Sequence, residues 1–424
     1  MRSPILDYLD SVLEQTGDFQ AGAVADYIPE LAAADPDRVA VALCTVNGTV
    51  YASGDVDHAF SIQSMSKPFA YALAVEDLGL QEVLSNIGVE PSGEAFNELS
   101  LDPESGKPRN PMINAGAIAT HALLKSDQVT ATERMIDLFS RLTERPIDID
   151  GAVATSEMET GARNMGLAYL LHSSGAMATD PRVAVEGYIR QCAASVTVRD
   201  LALMAATLAN AGVQPNSGER IFCRETTKHV LSVMASCGMY DAAGDWLSAV
   251  GIPAKSGVAG GIIGILPGQV GVAVFSPRLD AHGNSARGVE MMHRLSDDLG
   301  LHLMDAGRPA RSSLRETRVA DVEGEPATIY ALQGDMVLSS IESLTREIIE
   351  NPPRTELVFF DMSRVDEVLP VARRTASAMA TKLLDEGYCI VLVDPENTVT
   401  DFQDSQGRNV QWWSPERLEQ GIDA

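Results

Sequence analysis

Two turn-linked β segments stand far apart in this 424-residue chain, and most of what separates them carries helical periodicity. The first, Val39 to Thr45 and Val50 to Ser53, flanks Asn47-Gly48, the strongest short hairpin signal. The second, Pro253 to Leu266 and Val270 to Phe275, flanks Pro267-Gly268. Between them helical patterns dominate from about Thr130 to Ala211, including a Leu201, Met204, Ala205, Leu208 stripe. A hairpin, a helical insertion and a late hairpin predict a mixed α/β fold. In it an antiparallel sheet is flanked by helices, and the insertion forms a mostly helical lobe.

The remaining segments fill in that frame. Ile5, Leu6, Leu9, Val12 and Leu13 predict an amphipathic first helix, and Ala23 to Ile28 a short apolar segment stopped by Pro29. Residues 79–114 are rich in Gly, Pro, Asn and Ser, which predicts a long ordered excursion near a site. A helical stretch from Gly288 to Leu303 closes a first domain over residues 1–304. Residues 305–326, with Gly307-Arg308-Pro309 and Gly324-Glu325-Pro326, read as a linker. From residue 327 to 424 strands near 328–332, 356–361 and 389–393 alternate with helices near 338–349 and 371–384. That order predicts a small, mainly parallel α/β domain.

Charge and cysteine usage narrow the function. The net charge of −27, from 59 acids against 32 bases, disfavours nucleic acid and anionic membrane as partners. Five scattered cysteines without a C-x-x-C suggest buried free thiols in a reducing compartment and no zinc site. The opening MRSPILDYLDSVLEQTG carries acids within its apolar stripe, unlike a signal-peptide h-region, and no apolar run approaches a bilayer span. We therefore expect a cytoplasmic protein.

The chemistry begins at Gln63-Ser64-Met65-Ser66-Lys67-Pro68. Residues three apart share a helix face, so Ser64 and Lys67 point the same way. An amine there can take the proton of a hydroxyl that is otherwise a poor nucleophile. Pro68 is tolerated only in a first helical turn, which puts Ser64 at the helix tip with a backbone N–H free for a developing oxyanion. A solvated surface pair would show the same spacing. Ser66 faces another side of the helix and is the weaker nucleophile candidate. The chain has only six lysines, and a second one heads Lys255-Ser256-Gly257 on a predicted edge strand, where Gly257, Gly260 and Gly261 allow close approach. An S-x-x-K serine followed by K-[ST]-G on a strand is the layout of β-lactamases and penicillin-binding proteins, although no S-D-N element stands between them. An edge-strand gatekeeper is the alternative role for Lys255.

Tyr27 in ADYIP, QSMSKP around Ser64, NPMINAGA around Asn114, SEMETGARN from Ser156 to Asn164, CGMYD around Tyr240 and AKSGVAGG around Val258 together resemble the serine-dependent glutaminase family, from about Gly22 to Leu303. The resemblance implies a β-lactamase/DD-peptidase-like catalytic domain that hydrolyses L-glutamine to L-glutamate and ammonia through a serine acyl-enzyme, without a metal or organic cofactor. It implies Ser64 as nucleophile, Lys67 as base, Tyr240 in proton transfer, Tyr27 beside the reacting amide, and the N–H groups of Ser64 and Val258 as the oxyanion hole. Asn114, Glu157, Asn164 and Tyr188 match the ligands of the glutamine α-amino and α-carboxylate groups, and Lys255 is placed near the substrate as a cation that could lower the pKa of Lys67. Without the resemblance, Tyr188 reads as core, Asn114 as a turn residue and Glu157 as helix-start support. A homodimer or homotetramer is expected.

Residues 326–424 resemble a STAS domain, on the strand–helix order and on Val358-Phe359-Phe360-Asp361-Met362-Ser363-Arg364-Val365. The segment where such domains often carry a phosphorylatable serine reads Asp366-Glu367-Val368-Leu369-Pro370-Val371, with no hydroxyl, which leaves a scaffolding, oligomerisation or regulatory role. Two rival readings follow: a β-lactam-interacting hydrolase or carboxypeptidase of the same fold, and a non-catalytic STAS regulator.

Overall fold

A computed structural model describes residues 3–91, 101–124, 128–305, 313–395 and 410–422. The chain divides into two compact units, Met1–Asp305 and Ala306–Ala424.

Among the described residues, seven strands belong to the first unit: β1 (Ala40–Thr45), β2 (Val50–Gly54), β3 (Phe60–Ser61), β4 (Ser195–Val196), β5 (Ala254–Gly257), β6 (Gly261–Leu266) and β7 (Val270–Phe275). Five form an antiparallel sheet in the order β2-β1-β7-β6-β5, while β3 and β4 pair separately. The two distant hairpins thus meet through β1 and β7, and β5 is an edge strand. Side chains alternate between two cores, as a period of two requires. Val41, Leu43, Val272 and Val274 pack toward Leu9, Val12, Trp246 and Met291 from helices. Ala40, Ala42, Ala273 and Phe275 face the helical lobe. The helix Val198–Ala209 is buried along nearly its whole length, and it approaches the sheet so closely that a Cβ on Gly271 would lie 2.2 Å from the Ala206 nitrogen. The sheet is therefore the middle of three layers.

Pro29 does not stop a segment; it opens the short helix Pro29–Ala32, because its missing N–H and fixed φ suit a first turn. The excursion after residue 79 contains the helix Leu80–Asn86; positions 92–100 lie outside the described residues. Among the five free cysteines, Cys223 is half-buried and Cys389 exposed, contrary to the expectation of uniformly buried thiols, since Cys389 opens a strand at its exposed end.

The second unit holds β8 (Leu314–Val322), β9 (Glu325–Leu332), β10 (Leu357–Asp361), β11 (Cys389–Val393) and β12 (Gln411–Trp413) in the order β12-β11-β10-β9-β8. All neighbours are parallel except β8 and β9. The helices Leu338–Glu350 and Pro370–Asp385 supply side chains to one core and the helix Pro415–Ile422 to another. Much of the expected linker is thus strand. LRETRVADV is exposed along most of its length, so it lacks the apolar alternation that marks a half-buried strand. The Glu323-Gly324 pair, with φ of 54° and 87°, makes a two-residue hairpin turn in which left-handed backbone matches the strand twist. Among the described residues, no helix is long and apolar enough to cross a membrane.

Candidate active site

The site grows from the junction between β3 and the helix Lys67–Leu78. A 3-10 turn, Gln63–Ser66, carries Ser64, and Pro68 falls in the first turn of the helix that follows. Gln63 has φ of 50° and Tyr240 φ of 57°, both non-glycine residues in the left-handed region. Such backbone persists only where surroundings over-determine it. Strand β5 lies against this turn: a Cβ on Gly257 would sit 3.1 Å from the Ile62 carbonyl and 3.3 Å from Gln63 Cβ, so glycine lets the strand close in. Val258 follows directly. Gly238 serves the same purpose for Tyr240, since a Cβ there would fall 1.8 Å from the Ala254 carbonyl.

Tyr27, Ser64, Asn114, Glu157, Asn164, Tyr188 and Val258 line one cleft, together with Gln63, Arg163 and Cys192. Lys67, Tyr240 and Lys255 are not among its lining residues; they are buried behind it. The loop before Asn114 is locked by Asn110, whose Oδ1 accepts from the N–H groups of Met112 and Ile113 at 3.0 and 3.2 Å. A Cβ on Gly116 would lie 1.9 Å from the Asn110 carbonyl, which explains the glycine in NPMINAGA. Lys67 Nζ then donates to the Met112 carbonyl at 3.1 Å and to Asn114 Oδ1 at 2.8 Å. The Asn114 amide donates in turn to Asn164 Oδ1 at 3.0 Å, and the Tyr188 hydroxyl reaches Asn114 Oδ1 at 3.4 Å.

Burial lowers the Lys67 pKa to about 7, and among the described residues no carboxylate pairs with it. Two N–H bonds of a neutral amine go to the two acceptors, which leaves its lone pair able to take a proton. The expectation that the charge of Lys255 depresses Lys67 needs correction. Burial is what lowers Lys67, whereas Lys255 is itself fully buried and its pKa is pushed well down by burial and then by the Lys67 charge. Its Nζ donates to the Ser256 carbonyl at 2.9 Å and lies 3.8 Å from the centre of the Tyr240 ring, so it backs the tyrosine and does not face the cleft. Burial pushes the Tyr240 phenol up to about 12, with the Ser64 and Ser256 hydroxyls pulling the other way.

At the far end, Glu157 Oε1 accepts from the Tyr27 hydroxyl at 2.7 Å and from Gln63 Nε2 at 3.2 Å. Burial raises the Glu157 carboxyl, while Tyr27 and Gln63 hold it down. A buried carboxylate bonded to neutral donors is a receptor for a cation. Tyr27 is therefore tied to Glu157. Gln63 and Arg163 were not singled out in the sequence, although each adjoins a residue that was: Gln63 precedes Ser64, and Arg163 precedes Asn164. Among the described residues no group of His, Cys, Asp or Glu side chains converges to hold a metal ion.

A three-layer unit with S-x-x-K at a helix mouth and K-S-G on the adjacent edge strand is the β-lactamase-like class. Within that class the likeness is specific. A family model described as Glutaminase matches residues 22–304. The chain is 47% identical to a glutaminase of Corynebacterium glutamicum over 95% of its own length and 97% of the relative's. It is 48% identical to a glutaminase of Trichormus variabilis over 304 residues, which are 72% of this chain and 91% of that protein. A crystal structure of Mglu superposes with a TM-score of 0.85 at 44% identity, covering 94% of this chain and all of the other. The chain belongs to the glutaminase family.

Proposed function

We propose that this protein hydrolyses L-glutamine to L-glutamate and ammonia through a glutamyl ester on Ser64. The observation that carries the reading is Lys67, a buried lysine with no carboxylate partner among the described residues, its amine tethered by Met112 and Asn114 behind the cleft that holds Ser64. Neutral Lys67 takes the Ser64 proton as Oγ attacks the side-chain amide carbon. The backbone N–H groups of Ser64 and Val258 stabilise the oxyanion. The C–N bond then breaks, and the nitrogen leaves as ammonia with a proton returned by Lys67 by way of Tyr240. Water adds to the ester, gives its proton to Lys67, and glutamate departs as Ser64 is reprotonated. Glu157 binds the substrate ammonium, and Asn114, Asn164 and Tyr188 serve its α-carboxylate. We further propose a cytoplasmic homodimer or homotetramer that needs no cofactor, with the second unit acting as a STAS-like scaffold or regulator.

Ammonia release from L-glutamine, with L-asparagine and a chromogenic β-lactam in parallel, tests this for wild type and Ser64→Ala. Glutamine turnover that disappears in the variant is expected. Persistent turnover in Ser64→Ala, or acylation by the β-lactam with silence on glutamine, would overturn the assignment.

A further inference from the structure

We propose that His121, Gln191 and Ser66 form a buried relay that positions the nucleophile by anchoring the backbone of Gln63. Ser66 Oγ lies 2.8 Å from the Gln63 carbonyl, Gln191 Nε2 lies 2.9 Å from Ser66 Oγ, and His121 Nδ1 lies 2.8 Å from Gln191 Oε1. All three side chains are at most 2% exposed. The direction of every bond follows from one end. A carbonyl can only accept, so the Ser66 proton is committed to Gln63. Ser66 Oγ must then accept from the Gln191 amide, which turns Gln191 Oε1 toward His121. His121 therefore carries its proton on Nδ1, and burial, which lowers its pKa to about 4, keeps the ring neutral.

The relay ends on a strained residue. Gln63 is held at φ 50°, and its carbonyl belongs to the peptide unit that supplies the Ser64 N–H. A left-handed non-glycine residue relaxes unless something fixes it. Nothing in the glutamine chemistry requires Ser66, Gln191 or His121, yet each belongs to an element that also supplies the cleft. Ser66 shares a turn with Ser64, His121 lies on the helix Asn114–Leu123, and Gln191 lies on the helix Pro181–Cys192 with Tyr188. The far side of the ring is seated on Gly187, where a Cβ would fall 2.3 Å from His121 Nε2. The relay thus ties three elements to one peptide unit.

This inference rests on Ser64 as nucleophile, and the test separates the two. In the full-length protein, Ser66→Ala and Gln191→Met should each lower kcat for glutamine about tenfold or more while KM stays within about twofold. The double variant should be no slower than the worse single one, because Gln191 acts only through Ser66. His121→Leu should show a similar loss, and His121→Asn, which keeps an N–H near the Nδ1 position, should recover most of it. Thermal unfolding of each variant separates loss of rate from loss of fold. Wild-type kcat in Ser66→Ala, losses that multiply in the double variant, or equal defects in the two His121 variants would overturn the relay. Glutamine turnover by Ser64→Ala would instead overturn the nucleophile.

Discussion

Lys67, the proposed base, is a lysine whose proton affinity folding has lowered. Its pKa drops from an ordinary 10.5 to about 7 because burial removes water from the ammonium and no carboxylate among the described residues replaces it. In the proposed reaction the neutral amine is the active form. The kcat/KM for glutamine should therefore fall about tenfold per pH unit below 7 and level off above it, a profile that steady-state kinetics between pH 5 and 9 would show. The same shift affects stability with a definite sign. Between pH 7 and 10.5 the folded state binds fewer protons at Lys67 than the unfolded chain, so this group destabilises the fold at and below pH 7. Its penalty fades as pH rises toward 10.5. Lys67→Met should accordingly raise the unfolding temperature at pH 7, and the gain should shrink in alkaline buffer. An unchanged acid limb together with no stabilisation in Lys67→Met would refute a neutral buried lysine. The candidate nucleophile and base were legible in the sequence because they share a helical turn; the bonds from Lys67 to Met112 and Asn114 were not, because those residues lie more than forty positions away, at the start of another helix.

Among the secondary-structure elements, the contact that matters most is between β5 and the turn that carries Ser64. Gly257 is the gap through which they touch, with the Ile62 carbonyl 3.1 Å from where a Cβ would sit. Gly257→Ala requires a shift of a few tenths of an ångström in backbone that frames both proposed oxyanion donors. We expect kcat to fall about tenfold, since small misplacements near reacting atoms are costly, while the unfolding temperature moves by only a few degrees. Stopped-flow acylation with circular dichroism on the same sample checks both halves. Wild-type acylation in this variant would show that the strand does not set the geometry. The sequence pointed to β5 as an edge strand from its glycines, and the sheet order agrees. It misjudged Lys255, because a strand residue alternates between faces and only packing decides which face meets the cleft. It missed β8 because an exposed edge strand carries charge where a pattern search looks for apolar alternation.

For the whole molecule, the two units have separate cores and each can be judged alone. The residues proposed to handle glutamine all lie in the first, and one family relative is matched over only 304 residues of this chain, which are 91% of its own length. A chain ending at Asp305 should therefore keep glutamine turnover within about threefold of full length and unfold in a single cooperative transition. Loss of turnover in a folded truncation would give the second unit a direct part in catalysis. Solution scattering of both lengths would show whether assembly depends on it.

The sequence by itself determined everything that depends on short spacing: which residues share a helix turn with Ser64, where strands replace helices, and where glycines permit close approach. Only the tertiary structure decided the protonation chemistry. Desolvation of Lys67, the retreat of Lys255 behind Tyr240 and the relay through Gln191 all arise between residues far apart in the chain. A pKa is set by what surrounds a group in space, and that is known only once the packing is known.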